Sequence, residues 1–171
     1  MTNVNAKNQL PLLKFLEEQG ITLKDLVDTA LEFYVPHPGV DTKEKATIML
    51  TEEFLDALSD PNISILETAA FLVQREAEED RVPGLTKQMF HGRPGPVADE
   101  LIGIAIATYI AGSKGLFEFV RFDQAKPGIL KRLGTMTNDA IGGLIAGVSS
   151  NMYTKATRQT AESSKRDSAL H

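Results

Sequence analysis

Three acidic groups between residues 99 and 147 stand at the head of, or beside, Gly-rich apolar segments. They are Asp99-Glu100, then Asp123 with Lys126-Pro127-Gly128 three residues on, then Asn138-Asp139. A carboxylate buried alone costs several kcal/mol, so its placement beside packed apolar helices calls for compensation. A hard divalent cation is one form of compensation, and the positive end of a helix is another. If the acidic heads of two apolar helices meet, Asp99, Glu100 and Asp139 offer oxygen ligands to Mg²⁺, with waters completing the octahedron. In the competing reading Asp99 complements a helix dipole, while Asn138 or Asp139 caps the last helix. Asp123 and Lys126 share a face of a helical turn and can form an exposed ion pair. Alternatively, Lys126 faces a phosphate beside the free N–H groups of a short helix opened by Pro127 and Gly128.

Other polar groups carry less information. His37, His91 and His171 share no metal-ligand spacing. His91 and Arg93 lie in a Gly/Pro loop, where the solvated surface reading outweighs a role in holding an anion. Glu76, Glu78, Glu79 and Asp80 read as a solvated helix end. Arg121 serves either a phosphate or an ion pair. The chain has no cysteine, which excludes disulfides, Cys-ligated zinc and thiol nucleophiles. Its net charge of −5 and pI near 5.2, with no Lys/Arg run outside the tail, argue against nucleic-acid binding.

The elements that position these groups read as helices. Leu10, Leu12, Leu13, Phe15 and Leu16 recur at helical spacing up to Gly20, and Thr22 with Asp25 opens a second helix. A third is expected from Asp41 or Thr42 through Ala46, Met49 and Leu50, and a separate one from Thr51 to Asp60-Pro61. Residues 61–80 predict an amphipathic helix with Ile65, Leu66, Ala69, Phe71, Leu72 and Val73 inside and Glu76 to Asp80 in water. Residues 82–96 hold three Pro and three Gly and form a long loop. The apolar helix from Val97 to about Gly112 is expected at the centre, followed by an aromatic segment 116–122. There Leu116, Phe117, Phe119 and Phe122 are either core or a lipid entry. A short helix after Pro127 and a last one from Asp139 to about Tyr153 complete the pattern. The stretch 155–171 is a polar tail, expected to fray beyond Ala161.

No alternating strand pattern and no repeat occurs. The expected fold is all-α: one domain over 1–171, a multi-helix bundle with one central apolar helix surrounded by the others. Hydrophobic content of 42% and charged content of 24% are those of a globular protein. Residues 1–9 lack a leader pattern, and the apolar run 101–112 is shorter than the ~20 residues of a span, so no transmembrane segment and a cytoplasmic location are expected.

The segments ADELIGIAIATYIAG, FDQAKPGILKRL and NDAIGGLIAGVSS, in that order, resemble the phosphatidylglycerophosphatase A family. The likeness covers about residues 97–150. The first 80 residues are loosely similar to the helical N-terminal part of a soluble, Gram-positive-type branch. The resemblance makes Asp99 and Glu100 the family's DE pair, Asp123 the aspartate before Lys-Pro, and Asp139 the second member of its acidic pair. It implies Mg²⁺-dependent hydrolysis of a phosphomonoester, with phosphatidylglycerophosphate giving phosphatidylglycerol, and a self-associating helical bundle. Asp99, Glu100 and Asp139 would then hold the metal, Asp139 counting also among the catalytic residues with Asp123 and Lys126. Asp123 would orient the attacking water, act as base or ligate the metal directly, and Lys126 would offset phosphoryl charge. The partner would be a phosphorylated small molecule or a phospholipid headgroup, with contact at a membrane surface open. The sequence departs from the family pattern at Asn138, where the first acidic residue of the pair is expected, and at Val120, where an arginine is expected one place before Arg121. The alternative function is a non-catalytic helical protein that binds a phosphorylated ligand or a metal through the same residues.

Overall fold

The computed structural model describes residues 10–168. Among them seven α-helices and one 3₁₀ turn make up the fold, with no strand beyond an isolated bridge between His37 and Val40. The expectations about residues 1–9, residues 169–170 and His171 lie outside the described residues.

Local signals set most boundaries. Helix α1 (Pro11–Glu18) starts at a proline whose missing N–H costs nothing in the first turn, and it buries Leu12, Leu13 and Leu16. Helix α2 (Leu23–Leu31) opens on a capping box: Asp25 donates its backbone N–H to Thr22 Oγ1 at 3.1 Å, and Thr22 donates its own to Asp25 at 2.8 Å. Thr42 caps α3 (Lys43–Ala57), and Asp60 caps α4 (Pro61–Glu78) with proline at the first position. The two helices expected on either side of Thr51 are one. Thr51 Oγ1 donates to the Thr47 carbonyl at 2.7 Å and so folds into the helix wall instead of starting a new helix.

The loop after α4 contains a single short helix, α5 (Lys87–Phe90), capped by Thr86. Helix α6 (Ala98–Ala125) follows, then the 3₁₀ turn (Gly128–Arg132) and α7 (Thr135–Ser168). The last helix therefore begins four residues before Asp139 and runs far into the stretch expected to be a polar tail.

The fold does have a central apolar helix, but it is α7, not the run 101–112. Residues 139–150 are buried without interruption, and α7 packs against α2, α3, α4, α6 and the 3₁₀ turn. Each of Ile141, Leu144 and Ile145 contributes about 1.5–3 kcal/mol by burial. Glycine permits the contact with α6. A Cβ on Gly143 would lie 2.3 Å from the Gly103 carbonyl oxygen, and one on Gly103 would lie 2.5 Å from that of Asp139. Backbone meets backbone there, which brings α6 closer to α7 than bulkier residues allow. The run 101–112 is only half covered because α7 fills the middle.

Helix α4 corrects a second expectation. Its inner residues are Ile63, Glu67, Ala70 and Ala77, whereas Ile65, Leu72 and Val73 face outward. Leu66 and Phe71 pack against the core as expected; the apolar count misplaced the three outward residues because Glu67, fully enclosed at 0% exposure, lies on the inner side.

Candidate functional site

By length and composition α6 is long and apolar enough to cross a membrane, with a mean hydropathy of 1.2. It is not straight. Gly112 has φ 61° and ψ −148°, a region that side chains with a Cβ rarely enter, and it breaks the helix into arms at 98–111 and 113–125. The second arm folds back on the first. A Cβ on Gly103 would lie 2.5 Å from the Phe119 ring, and one on Gly115 would lie 2.1 Å from the Ala107 carbonyl oxygen. Each arm is about 20 Å long, short of the ~30 Å hydrocarbon thickness.

The reversal determines where the acids meet. On a straight helix Asp99 and Asp123 would stand about 36 Å apart. Instead both line one cavity of about 590 Å³, together with Glu100, Lys126, Asn138 and Asp139. The first arm supplies Asp99 and Glu100, the end of the second supplies Asp123 and Lys126, and the second turn of α7 supplies Asp139. His91 and Arg93 close the cavity from the loop.

Lys126 ends the second arm in a left-handed conformation (φ 46°) that is costly for a non-glycine residue. That turn carries its ammonium into the cavity, where it donates hydrogen bonds to Asp123 Oδ1, Asn138 Oδ1 and Asp139 Oδ1. Burial opposes the charge on Lys126, but Asp123 and Asp139 outweigh it and raise its pKa. Asp139 is only 2% exposed, and burial pushes its carboxyl up to about 7 even with Lys126 beside it.

Asp139 lies inside α7, so it is not a helix cap. Asp99 does lie in a first turn, where the helix dipole favours it. Its Oδ1 is nevertheless buried with no hydrogen-bond partner among the described residues. Asp99, Glu100 and Asp139 share the cavity without closing around one point. Among the described residues no three His, Asp or Glu side chains form a ready-made metal-ligand group.

The anion site expected at Pro127-Gly128 is not available. Ile129 donates its N–H to Thr29 Oγ1 at 3.0 Å, and a Cβ on Gly128 would lie 2.3 Å from the same oxygen. The turn is docked on α2, and Lys126 points the other way. Arg121 forms an ion pair with Glu118 at 2.9 Å and covers the Phe33 ring at 5.0 Å, outside the acidic cavity. Phe119 and Phe122 are core, whereas Phe117 is 75% exposed.

A relay that the sequence did not disclose ties the loop to the cavity floor. His91 Nε2 lies 2.9 Å from Glu78 Oε1, Gln74 donates to the same oxygen at 2.9 Å, and Met136 donates its N–H to Gln74 Oε1 at 2.8 Å. Glu78 is thus a structural partner and not a purely solvated end. The i, i+4 spacing of Gln74 and Glu78 was the one available signal. Arg93, two residues on from His91, lines the cavity with no hydrogen bond or ion pair among the described residues.

A second cavity of about 600 Å³ lies beside Asp56, Asp60, Tyr109 and Asn151. Most of its polar groups are already engaged: Glu53 pairs with Lys155 at 2.5 Å, and Asp60 accepts from Asn62 and Tyr109, while the Asp56 carboxylate is exposed. The acidic cavity, with an orphan carboxylate oxygen and a free arginine, is the better candidate for chemistry.

No known family profile matches the chain. It is 36% identical over 134 residues to an uncharacterized protein of Methanocaldococcus jannaschii, an alignment covering 74% of this chain and 99% of that protein. The chain belongs to the same family as that archaeal protein. A solved structure of a protein of unknown function from Bacillus stearothermophilus shares the fold, with a TM-score of 0.69 at 22% identity, over 84% of this chain and 96% of that one.

Proposed function

We propose that the protein is a Mg²⁺-dependent phosphatase acting on a phosphomonoester, similar to enzymes that hydrolyse phosphatidylglycerophosphate. One observation carries this reading: Asp99, Glu100, Asp123, Lys126 and Asp139, distant in the chain, line a single cavity. The donor set suits a hard cation, since every acidic ligand offers oxygen and Asp99 Oδ1 is buried without a partner. Asp99, Glu100 and Asp139 would hold the metal. When bound, it would polarise the phosphoryl oxygens and favour ionisation of water. Lys126, already among the carboxylates, would turn its charge toward the phosphoryl group as negative charge builds there. Asp123, beside Lys126, would orient the incoming water and accept its proton. The absence of cysteine leaves no thiol-phosphatase route.

The test is turnover by the purified chain on a phosphomonoester panel, with phosphatidylglycerophosphate in mixed micelles among the substrates, with and without Mg²⁺. Glu100→Gln and Asp139→Asn, made separately, are expected to abolish Mg²⁺-dependent release of phosphate while leaving helicity intact. Full activity in either variant refutes the assignment.

A second reading is a binding protein without turnover. Its support is that Lys126 compensates Asp123 and Asp139 without a metal. Calorimetric titration of Mg²⁺ and of inorganic phosphate, repeated on Asp139→Ala, separates binding from catalysis.

A further inference from the structure

Three side chains able to carry positive charge line the acidic cavity: Lys126, His91 and Arg93. They face the carboxylates of Asp99, Glu100, Asp123 and Asp139, past which a phosphate dianion would have to enter. Two of the three cations are engaged. Lys126 donates to Asp123, Asn138 and Asp139, which uses all three of its N–H groups. His91 is paired with Glu78 at 2.9 Å. Arg93 alone has no hydrogen bond or ion pair among the described residues, although Asp99 and Glu100 share the cavity with it.

The side chain is free, but the backbone that carries it is held. Phe90 is buried, and Glu78 pairs with Lys87 at 3.1 Å and with His91, one at each end of α5. Gly92 donates its N–H to the Met89 carbonyl at 3.2 Å. A Cβ on Gly92 would lie 2.9 Å from the Gln88 carbonyl oxygen, so the chain turns tightly over α5 just before Arg93. On the other side Pro94 and Pro96 each have a fixed φ, and α6 begins at Ala98, one residue before Asp99. A ligand meeting Arg93 therefore has only the side chain left to order, since the loop beneath it is already placed.

We propose that Arg93 is the residue that captures the substrate, its guanidinium taking two terminal oxygens of the phosphate. The inference rests on the reading of this cavity as a phosphomonoester site. It adds a group free to meet the substrate while Lys126 is still held by its acids. A guanidinium keeps its proton at any working pH, and its planar fork of donors matches two phosphate oxygens at once. Lysine at this position would keep the charge and lose the fork.

The test uses the full chain and two readouts. Turnover is measured with Mg²⁺ on glycerol phosphate and on phosphatidylglycerophosphate in mixed micelles, and binding of inorganic phosphate by calorimetry. Arg93 is exposed, so its variants are expected to keep wild-type helicity. Arg93→Met is expected to weaken phosphate binding about 10- to 100-fold and to raise KM by a similar factor with little change in kcat. Arg93→Lys should recover part of the loss. Arg121→Met, which removes the same charge outside the cavity, should leave both readouts within about twofold. An equal loss in Arg121→Met would reduce the effect to net charge and overturn the assignment. Phosphate affinity unchanged in Arg93→Met also overturns it, and the phosphatase reading then stands if the wild type turns over. A KM rise on the micellar lipid with that affinity unchanged would place Arg93 at the lipid surface instead. Phosphate binding through Arg93 without turnover of any monoester upholds the assignment and sinks the phosphatase reading. A wild-type chain that binds no phosphate overturns the assignment outright, and with no turnover either, both fall.

Discussion

Glu67 and Asp139 are both enclosed carboxyls on helices that touch the core, yet they sit in opposite circumstances. Asp139 meets Lys126, Asn138 and Asp123 at the edge of a cavity, and its carboxyl is held near 7, where it can change state. Glu67 has no hydrogen-bond partner for either oxygen among the described residues, and burial alone pushes it to about 8. The first acid is surrounded by groups that answer its charge, whereas the second is tolerated by staying protonated. Burial by itself therefore does not mark a reactive acid. The mark is burial together with counter-charge and an opening to solvent.

Substitution at the two acids should break this symmetry most strongly in function. Asp139→Asn is expected to lower phosphate release by 100-fold or more, while Glu67→Gln leaves it within about twofold, as read by steady-state turnover. Equal losses would mean that Glu67 communicates with the cavity.

The next largest effect is on stability against pH. Glu67 has its pKa raised from 4.5 to about 8 in the folded chain, so between these values the native state holds a proton that the unfolded chain releases. Stability is present below pH 4.5 and is lost as pH rises toward 8, by up to about 1.4 kcal/mol per unit. Denaturant melts of the wild type and Glu67→Gln across pH 5–8 check this, and the variant is expected to have the flatter profile.

Removing the counter-charge sharpens the contrast from the other side. Lys126→Met leaves Asp139 enclosed without its cation and is expected to cost about 2 kcal/mol. That is less than a fully buried pair would lose, since Lys126 is 35% exposed. The double variant with Asp139→Asn should recover most of the loss in urea melts. A smaller effect of opposite sign is expected at Ser149, whose buried hydroxyl has no partner among the described residues. Ser149→Ala should raise stability by about 0.5–1 kcal/mol in the same assay.

These contrasts also show what the chain discloses locally and what it conceals. The Thr22–Asp25 cap was legible because a cap depends on residues within one turn, and Asp60-Pro61 was legible as a helix boundary although not as the cap of the helix that follows. Gly112 was legible as a stop after an apolar run. The inner face of α4 was not, because Glu67 is turned inward by what packs on the helix, and hydrophobic count favoured Ile65 and Leu72. The central position of α7 was hidden for a related reason. Its Gly, Ser and Asn residues read as less apolar than 101–112, but small residues are what let neighbours crowd around it. At the cavity, the grouping of Asp99, Glu100, Asp123, Lys126 and Asp139 rested on the ordered motifs of the family resemblance, since their spacing alone is a weak signal. The position of Lys126 among the acids did not, since it depends on a left-handed turn at a residue type that seldom adopts one.

The reversal at Gly112 gives the cavity an unusual dependence on a distant point. Its two acidic halves hang from opposite limbs of one hairpin, as the jaws of tongs hang from a pivot. A Cβ at Gly112 would meet open space, but the left-handed φ it must hold disfavours any other residue, so a substitution that relaxes the pivot would part the jaws about 20 Å away. Screens for loss of the proposed phosphatase activity should then recover Gly112 alongside the acids themselves, although Gly112 does not line the cavity.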